Sequence, residues 1–174
     1  MELTYEQKLV WLAALIDGEG HVSASCFKCR TDKNGKVFRR FKAYVGLTNT
    51  NVKLIEFAAL IMKEIAGVKP VIHFDCSPSR PVHHKPVYRM HFGSFEPVHV
   101  TLLAIRPYLI AKGEQADSVL AMIKHRRNVV SSVGKKSPEA SVEVDAWLQR
   151  ELGQLHNLNK RGLKTTEFMR KLNA

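Results

Sequence analysis

The sequence predicts an α+β fold, one antiparallel sheet with helices packed on a single face. Three observations predict it. Apolar residues repeat at helical spacing near the N-terminus. Two pairs of alternating runs follow, separated by a second helical stretch. The rest of the chain reads as helix. The order is α-β-β-α-β-β-α, within one domain spanning residues 1–174, with C-terminal helices from about 137.

The first helix begins at Thr4, a capping residue with Gln7 three positions on to complete a capping box. Leu9, Leu12, Ala13 and Ile16 then share one helical face, and Gly18 and Gly20 mark the end. His21 to Arg30 and Phe38 to Thr48 alternate as strands, joined by a turn with the dipeptide Asn34-Gly35. Asn51 to Ala66 is the second helix. It carries Leu54, Ala58, Ile61, Met62 and Ile65 on one face and stops at Gly67. Val71–Asp75 and Val87–Phe92 form the second strand pair; Pro78, Pro81 and Pro86 make the link between them a loop. Further helices run from Ser94 to about Arg106, Glu114 to Arg126 and Ser137 to about Leu155. A short one starts near Thr166.

A sheet covered on one face turns its other face to water or to a partner. Alternation assigns Phe41, Ala43, Val45 and Leu47 inward, with Tyr88, Met90 and Phe92. It assigns Arg40, Lys42, Tyr44 and Thr48 outward, with Arg89 and His91. His73 and Asp75 join them from the third strand, Ser23 and Ser25 from the first. Such a face is either plain solvated surface or a set of donors for base edges and phosphates. Charge bears on that choice. The chain holds 27 Lys and Arg against 16 Asp and Glu, a net +11. Solubility accounts for such a surplus, and so does a polyanionic partner, because phosphate neutralisation is the main source of nucleic-acid affinity. No stretch approaches the ~20 apolar residues of a spanning helix, so no membrane partner is expected. The N-terminus lacks the pattern of a secretory signal, and three cysteines make no disulfide framework. The chain therefore reads as intracellular, in the cytoplasm of a prokaryote or in an organelle, and not secreted.

The first helix ends in Leu12-Ala13-Ala14-Leu15-Ile16-Asp17-Gly18-Glu19-Gly20. Two carboxylates at the negative end of a helix are each disfavoured by ~0.3–1 kcal/mol. A hard divalent cation such as Mg²⁺ resolves the conflict, since it takes carboxylate, carbonyl, water and phosphate oxygens. An exposed acidic turn is the plainer alternative.

This nonapeptide resembles the motif that names the LAGLIDADG homing endonucleases. It departs in having Ala14 for Gly, Gly18 for Ala and Glu19 for Asp. The element order matches that family along nearly the whole chain. Pro107-Tyr108-Leu109 to Gln115-Ala116, with Lys112, resembles a later segment of its single-motif members. The resemblance implies a homing-endonuclease-like fold and a site-specific, divalent-metal-dependent DNA endonuclease that makes a double-strand break with short 3′ overhangs. Its cofactor would be Mg²⁺ or another divalent cation such as Mn²⁺. A single motif implies a homodimer on double-stranded DNA, with Leu9, Leu12, Ala13, Ala14 and Ile16 at the interface. Glu19 and the Gly18 carbonyl would hold the metal, Lys112 would stabilise developing charge, and Asn49 and Lys53 would orient water or touch phosphate. Asp17 is left structural or peripheral. The basic run Asn157 to Lys164, with Lys160 and Arg161, resembles a C-terminal loop that contacts the DNA backbone. Some relatives are RNA-splicing maturases, so a non-cleaving binder with intron RNA as partner is the alternative.

Other features carry less. Cys26-x-x-Cys29 lacks a partner pair and lies on a strand, which speaks against zinc. His83-His84 reads as a surface pair. Trp11 and Trp147 read as core or interface, and Lys124 to Arg127 as phosphate contacts or solvated ends.

Overall fold

The computed structural model describes residues 3–31, 33, 37–75, 86–131 and 138–160. The helix expected near Thr166, the Asn34-Gly35 dipeptide and Arg161 lie outside these, as do the side chains of Arg40 and Asp75.

Helix α1 spans Tyr5–Glu19 and opens on the expected capping box. The Gln7 amide donates to Thr4 Oγ1 at 3.2 Å and the Thr4 amide to Gln7 Oε1 at 2.9 Å. The helix passes through Gly18 and stops at Gly20, whose backbone turns extended. A Cβ at Gly20 would sit 2.6 Å from Ile16 Cα, so only glycine lets the chain leave the helix directly into a strand. Strands β1 (Gly20–Thr31) and β2 (Val37–Asn49) pair antiparallel, with an irregularity between Lys28 and Arg30. Helix α2 (Val52–Ala66) is capped by Asn51 and ends at Gly67, whose φ of 72° is left-handed. Strands β3 (Val71–Asp75) and β4 (Val87–Phe92) complete the sheet, ordered β1-β2-β4-β3 and antiparallel throughout.

Helix α3 (Phe95–Ile105) runs into a single 3-10 turn at Arg106–Tyr108. Helices α4 (Gly113–Ser131) and α5 (Pro138–Asn159) follow, the latter four residues longer than the sequence predicts. The core lies between the helices and one face of the sheet. Phe41, Ala43, Val45 and Leu47 of β2 are buried there, as alternation requires, with Met90 and Phe92 of β4. They meet Leu12 and Ile16 of α1, Ile55 and Met62 of α2, and Leu102 of α3. On α2 the buried set is Ile55, Ala58, Ile61 and Met62; Leu54 and Ile65, expected inside, are half-exposed at its flanks. No helix among the described residues is long and apolar enough to cross a membrane.

One expectation is overturned. Leu9, Leu12, Ala13 and Ile16 are buried within the single chain, so they offer no surface to a second copy. Of the five residues expected at a dimer interface, Ala14 alone is exposed. The outward stripe of α1 is instead Val10, Ala14 and Gly18, spaced i, i+4 and i+8.

Candidate metal and nucleic-acid site

The antiparallel register lines up the outward side chains of the sheet in rows. Thr48 pairs with Arg89, and Arg89 with His73. His21 pairs with Gly46, and Gly46 with His91. Ser23 stands opposite Tyr44 and Ser25 opposite Lys42. Gly46 has no side chain because none fits: a Cβ there would lie 2.1 Å from the Met90 carbonyl oxygen. The His91 ring stacks on His73 at 5.4 Å and meets Tyr44 edge-on at 5.9 Å. His21, Tyr44, Thr48, His73, Arg89 and His91 thus line a concave patch of about 650 Å³, together with Phe74. Five of the ten outward residues that alternation singles out, Tyr44, Thr48, His73, Arg89 and His91, line this patch. For Arg40 and Asp75 the pairing is described, to Phe27 and Val87 respectively, and the side chains are not.

Histidines in this patch feel a positive field. Partial burial lowers the His21 pKa first, and His91, Lys112 and Arg89 lower it further. Burial likewise lowers that of His91, with His73 and Lys42 adding to it. A depressed folded-state pKa contributes stability that is complete above the ordinary 6.5 and is lost as pH falls through the depressed value. Stability should therefore decline on acidification below about pH 6.5, and His91→Asn should flatten that decline. Urea unfolding of both proteins across this range checks the expectation; identical slopes would refute it.

At one edge of this face the end of α1 meets the ends of β1 and β2. Two residues apart on a helix, Asp17 and Glu19 point about 200° from each other. The exposed Glu19 carboxylate accepts a hydrogen bond from Asn49 Nδ2, and the Asn51 amide donates to Asn49 Oδ1 at 2.7 Å, fixing the amide side chain. Lys53 lies in the first turn of α2, where its backbone N–H donates to Asn51 Oδ1 at 3.1 Å. Its side chain is exposed, and no bond ties its ammonium to Glu19 among the described residues. Asp17 faces the other way. Its Oδ2 accepts from the Ile110 amide at 2.6 Å and its Oδ1 from the Lys112 amide at 2.8 Å, while Lys112 Nζ donates to the Asp17 carbonyl at 2.5 Å. Glu19, Asn49 and Lys112, expected together, are thus gathered at one helix end. Asp17, expected to be structural or peripheral, makes structural bonds in the same cluster.

Among the described residues no three His, Cys, Asp or Glu side chains converge as a metal cage. What α1 presents is one exposed carboxylate, bonded to Asn49 Nδ2, beside the open carbonyl end of a helix, to which Gly18 belongs. That donor set suits a hard ion such as Mg²⁺, which binds through one or two carboxylates and takes the rest of its shell from water and phosphate.

Two polar residues to which the sequence assigns no individual role pin the end of α5 beside the sheet. Gln115 Nε2 donates to the Leu158 carbonyl and Asn159 Nδ2 to the Val22 carbonyl, each at 3.2 Å. The exposed Lys160 follows immediately. No local sequence signal marks them, since their partners lie 43 and 137 positions away.

No family model and no curated protein matches the chain. Solved structures do. The homing endonuclease I-CvuI in complex with its target superposes with a TM-score of 0.61 at 18% identity, covering 91% of this chain and 86% of that one. I-CvuI on the I-CreI target gives 0.60 at 21% identity, covering 98% and 97%. The LAGLIDADG homing endonuclease I-GzeII in complex with a DNA target gives 0.57 at 13% identity, covering 83% of this chain and 43% of that one. These likenesses, spanning nearly the whole chain in the first two cases, show that the protein is built on the fold of the LAGLIDADG homing endonucleases.

Proposed function

We propose that this chain is a site-specific, divalent-metal-dependent DNA endonuclease. It works as a homodimer on a long near-palindromic duplex and leaves short 3′ overhangs. The observation that carries the reading is the convergence of Glu19, Asn49 and Lys112 at the end of α1, at the border of an outward sheet face rich in Arg, Lys, His and Tyr. A two-stranded ribbon fits the major groove, and the rows through Tyr44, Thr48, Arg89 and His91 supply donors and acceptors for base edges. The surplus of +11 supports the same partner through phosphate.

Glu19 and the Gly18 carbonyl would hold Mg²⁺ or Mn²⁺, and Asn49 sets the Glu19 carboxylate. A bound divalent ion would polarise the scissile phosphate and offset charge on the attacking and leaving oxygens. Lys112 Nζ donates to the Asp17 carbonyl, which holds its positive charge at the end of α1, where it would stabilise charge that develops on phosphate. Lys160 would contact the DNA backbone.

Pairing of two copies rests on the exposed side of α1. Val10, Ala14 and Gly18 would let a second helix approach closely, and a Cβ at Gly18 would meet nothing within 4 Å among the described residues. The apolar surface continues over Trp11 and Phe57, whose rings meet edge-on at 4.8 Å, to the 63% exposed Leu60. Two-fold pairing would bring two Glu19 sites to one duplex and explain a near-palindromic target.

The test is cleavage. Purified protein with Mg²⁺ should break both strands of a duplex carrying the uninterrupted insertion site, and a chelator should stop it. Failure to cut that duplex and a randomised duplex library, in Mg²⁺ and in Mn²⁺, would sink the proposal. Retained binding to intron RNA in that case would point to a maturase.

A further inference from the structure

We infer that Asp17 is a positioning residue that holds Lys112 against the end of α1 and so keeps the ammonium in register with Glu19. The inference deepens the reading above and rests on the charge-stabilising role proposed there for Lys112. A carboxylate at the negative end of a helix needs compensation, and Asp17 finds it in the segment before α4. Its two oxygens accept the amides of Ile110 and Lys112, at 2.6 and 2.8 Å. Alternate amides of a short segment converging on one anion make a small anion-binding concavity in the backbone. The Lys112 side chain then folds back and donates to the carbonyl of the same Asp17. Three bonds therefore join Asp17, two residues from Glu19, to a segment 93 to 95 residues away.

The arrangement separates the two acids by task. Glu19 is exposed and turns to Asn49. The Asp17 carboxylate has both oxygens engaged, one of them in a partly buried bond. Ile110 is 93% exposed, so burial of its side chain does not hold this segment in place. Without the Asp17 carboxylate, the Lys112 ammonium would keep its charge and its bond to the residue 17 carbonyl, while the backbone that carries it would lose its two amide ties to α1.

Asp17→Asn tests this, because the amide keeps one acceptor oxygen and places a donor where an N–H points at it. Single-turnover cleavage should fall about 10- to 100-fold, the scale of an ångström misplacement, with DNA affinity unchanged. On a Lys112→Met background the same substitution should cost nothing further. Equal losses in both backgrounds, or a parallel loss of binding, would overturn the inference. Asp17→Glu, which keeps the charge and lengthens the arm, should fall between wild type and Asp17→Asn; a Glu variant as slow as the Asn variant at equal folded fraction would count against positional control. Amide hydrogen exchange at Ile110 and Lys112 reads the tether without any cleavage. It should be at least about 10-fold faster in Asp17→Asn, and unchanged exchange would overturn the tether itself. Should wild type not cut at all, the nuclease reading fails, and the exchange data still decide whether the tether exists.

Discussion

Glu19→Gln loses cleavage by on the order of 10³-fold, ~4 kcal/mol in barrier height, while duplex affinity holds. The amide is nearly isosteric with the carboxylate and keeps an oxygen for Asn49. What disappears is the negative charge that would neutralise a hard cation. Affinity should survive because, on the proposed reading, it would come from the sheet face and from basic side chains, and removing an anion near phosphate would favour binding if anything. Single-turnover cleavage in Mg²⁺, with gel shift in Ca²⁺, separates the two quantities. Cutting within a few-fold of wild type would remove Glu19 from the chemistry. Joint loss of cutting and binding would make its role structural.

Ala14→Glu should convert the proposed dimer to monomers. Position 14 lies midway along the exposed stripe of α1, so two copies would face two new carboxylates across a close helix contact. Like charges there cost several kcal/mol, and ~3 kcal/mol alone weakens association about 10²-fold. The fold should tolerate the change, because the side chain points away from the core. Sedimentation should show a single chain, with double-strand breaks lost. An unchanged dimer would move the interface elsewhere. Ala13→Glu is the contrast: Ala13 is fully buried, and the variant should fail to fold.

The two faces of α1 also show where sequence reading stops. Periodicity identifies apolar faces without saying what covers them. Leu9, Leu12, Ala13 and Ile16 satisfy any helical pattern, and only packing reveals that the sheet and the neighbouring helices cover them, not a second chain. In β2 the same kind of reasoning succeeds because the sheet has one covered face, so alternation leaves a single answer for Phe41 to Thr48. Thr4 and Gln7 were readable because a capping box is local. Resemblance alone singles out Glu19 and Lys112. The partners of Asp17 are not legible in the sequence, since it binds backbone amides 93 and 95 residues away and any residue but proline supplies an amide. The histidine patch is intermediate: the strand pattern puts His73 and His91 outside, while their stacking follows from the register between β3 and β4.

The tie between the last turn of α1 and the segment 110–112 bears on how this protein could be re-engineered. Glu19 and Lys112 move with the tip of one rod, so a shift of that rod carries both without disturbing their mutual spacing. If two copies cut one duplex as proposed, the stagger between the nicks would depend on how far apart the two rod tips stand. Bulk added at Ala14 or Gly18 would change that stagger before it changed the rate at either strand.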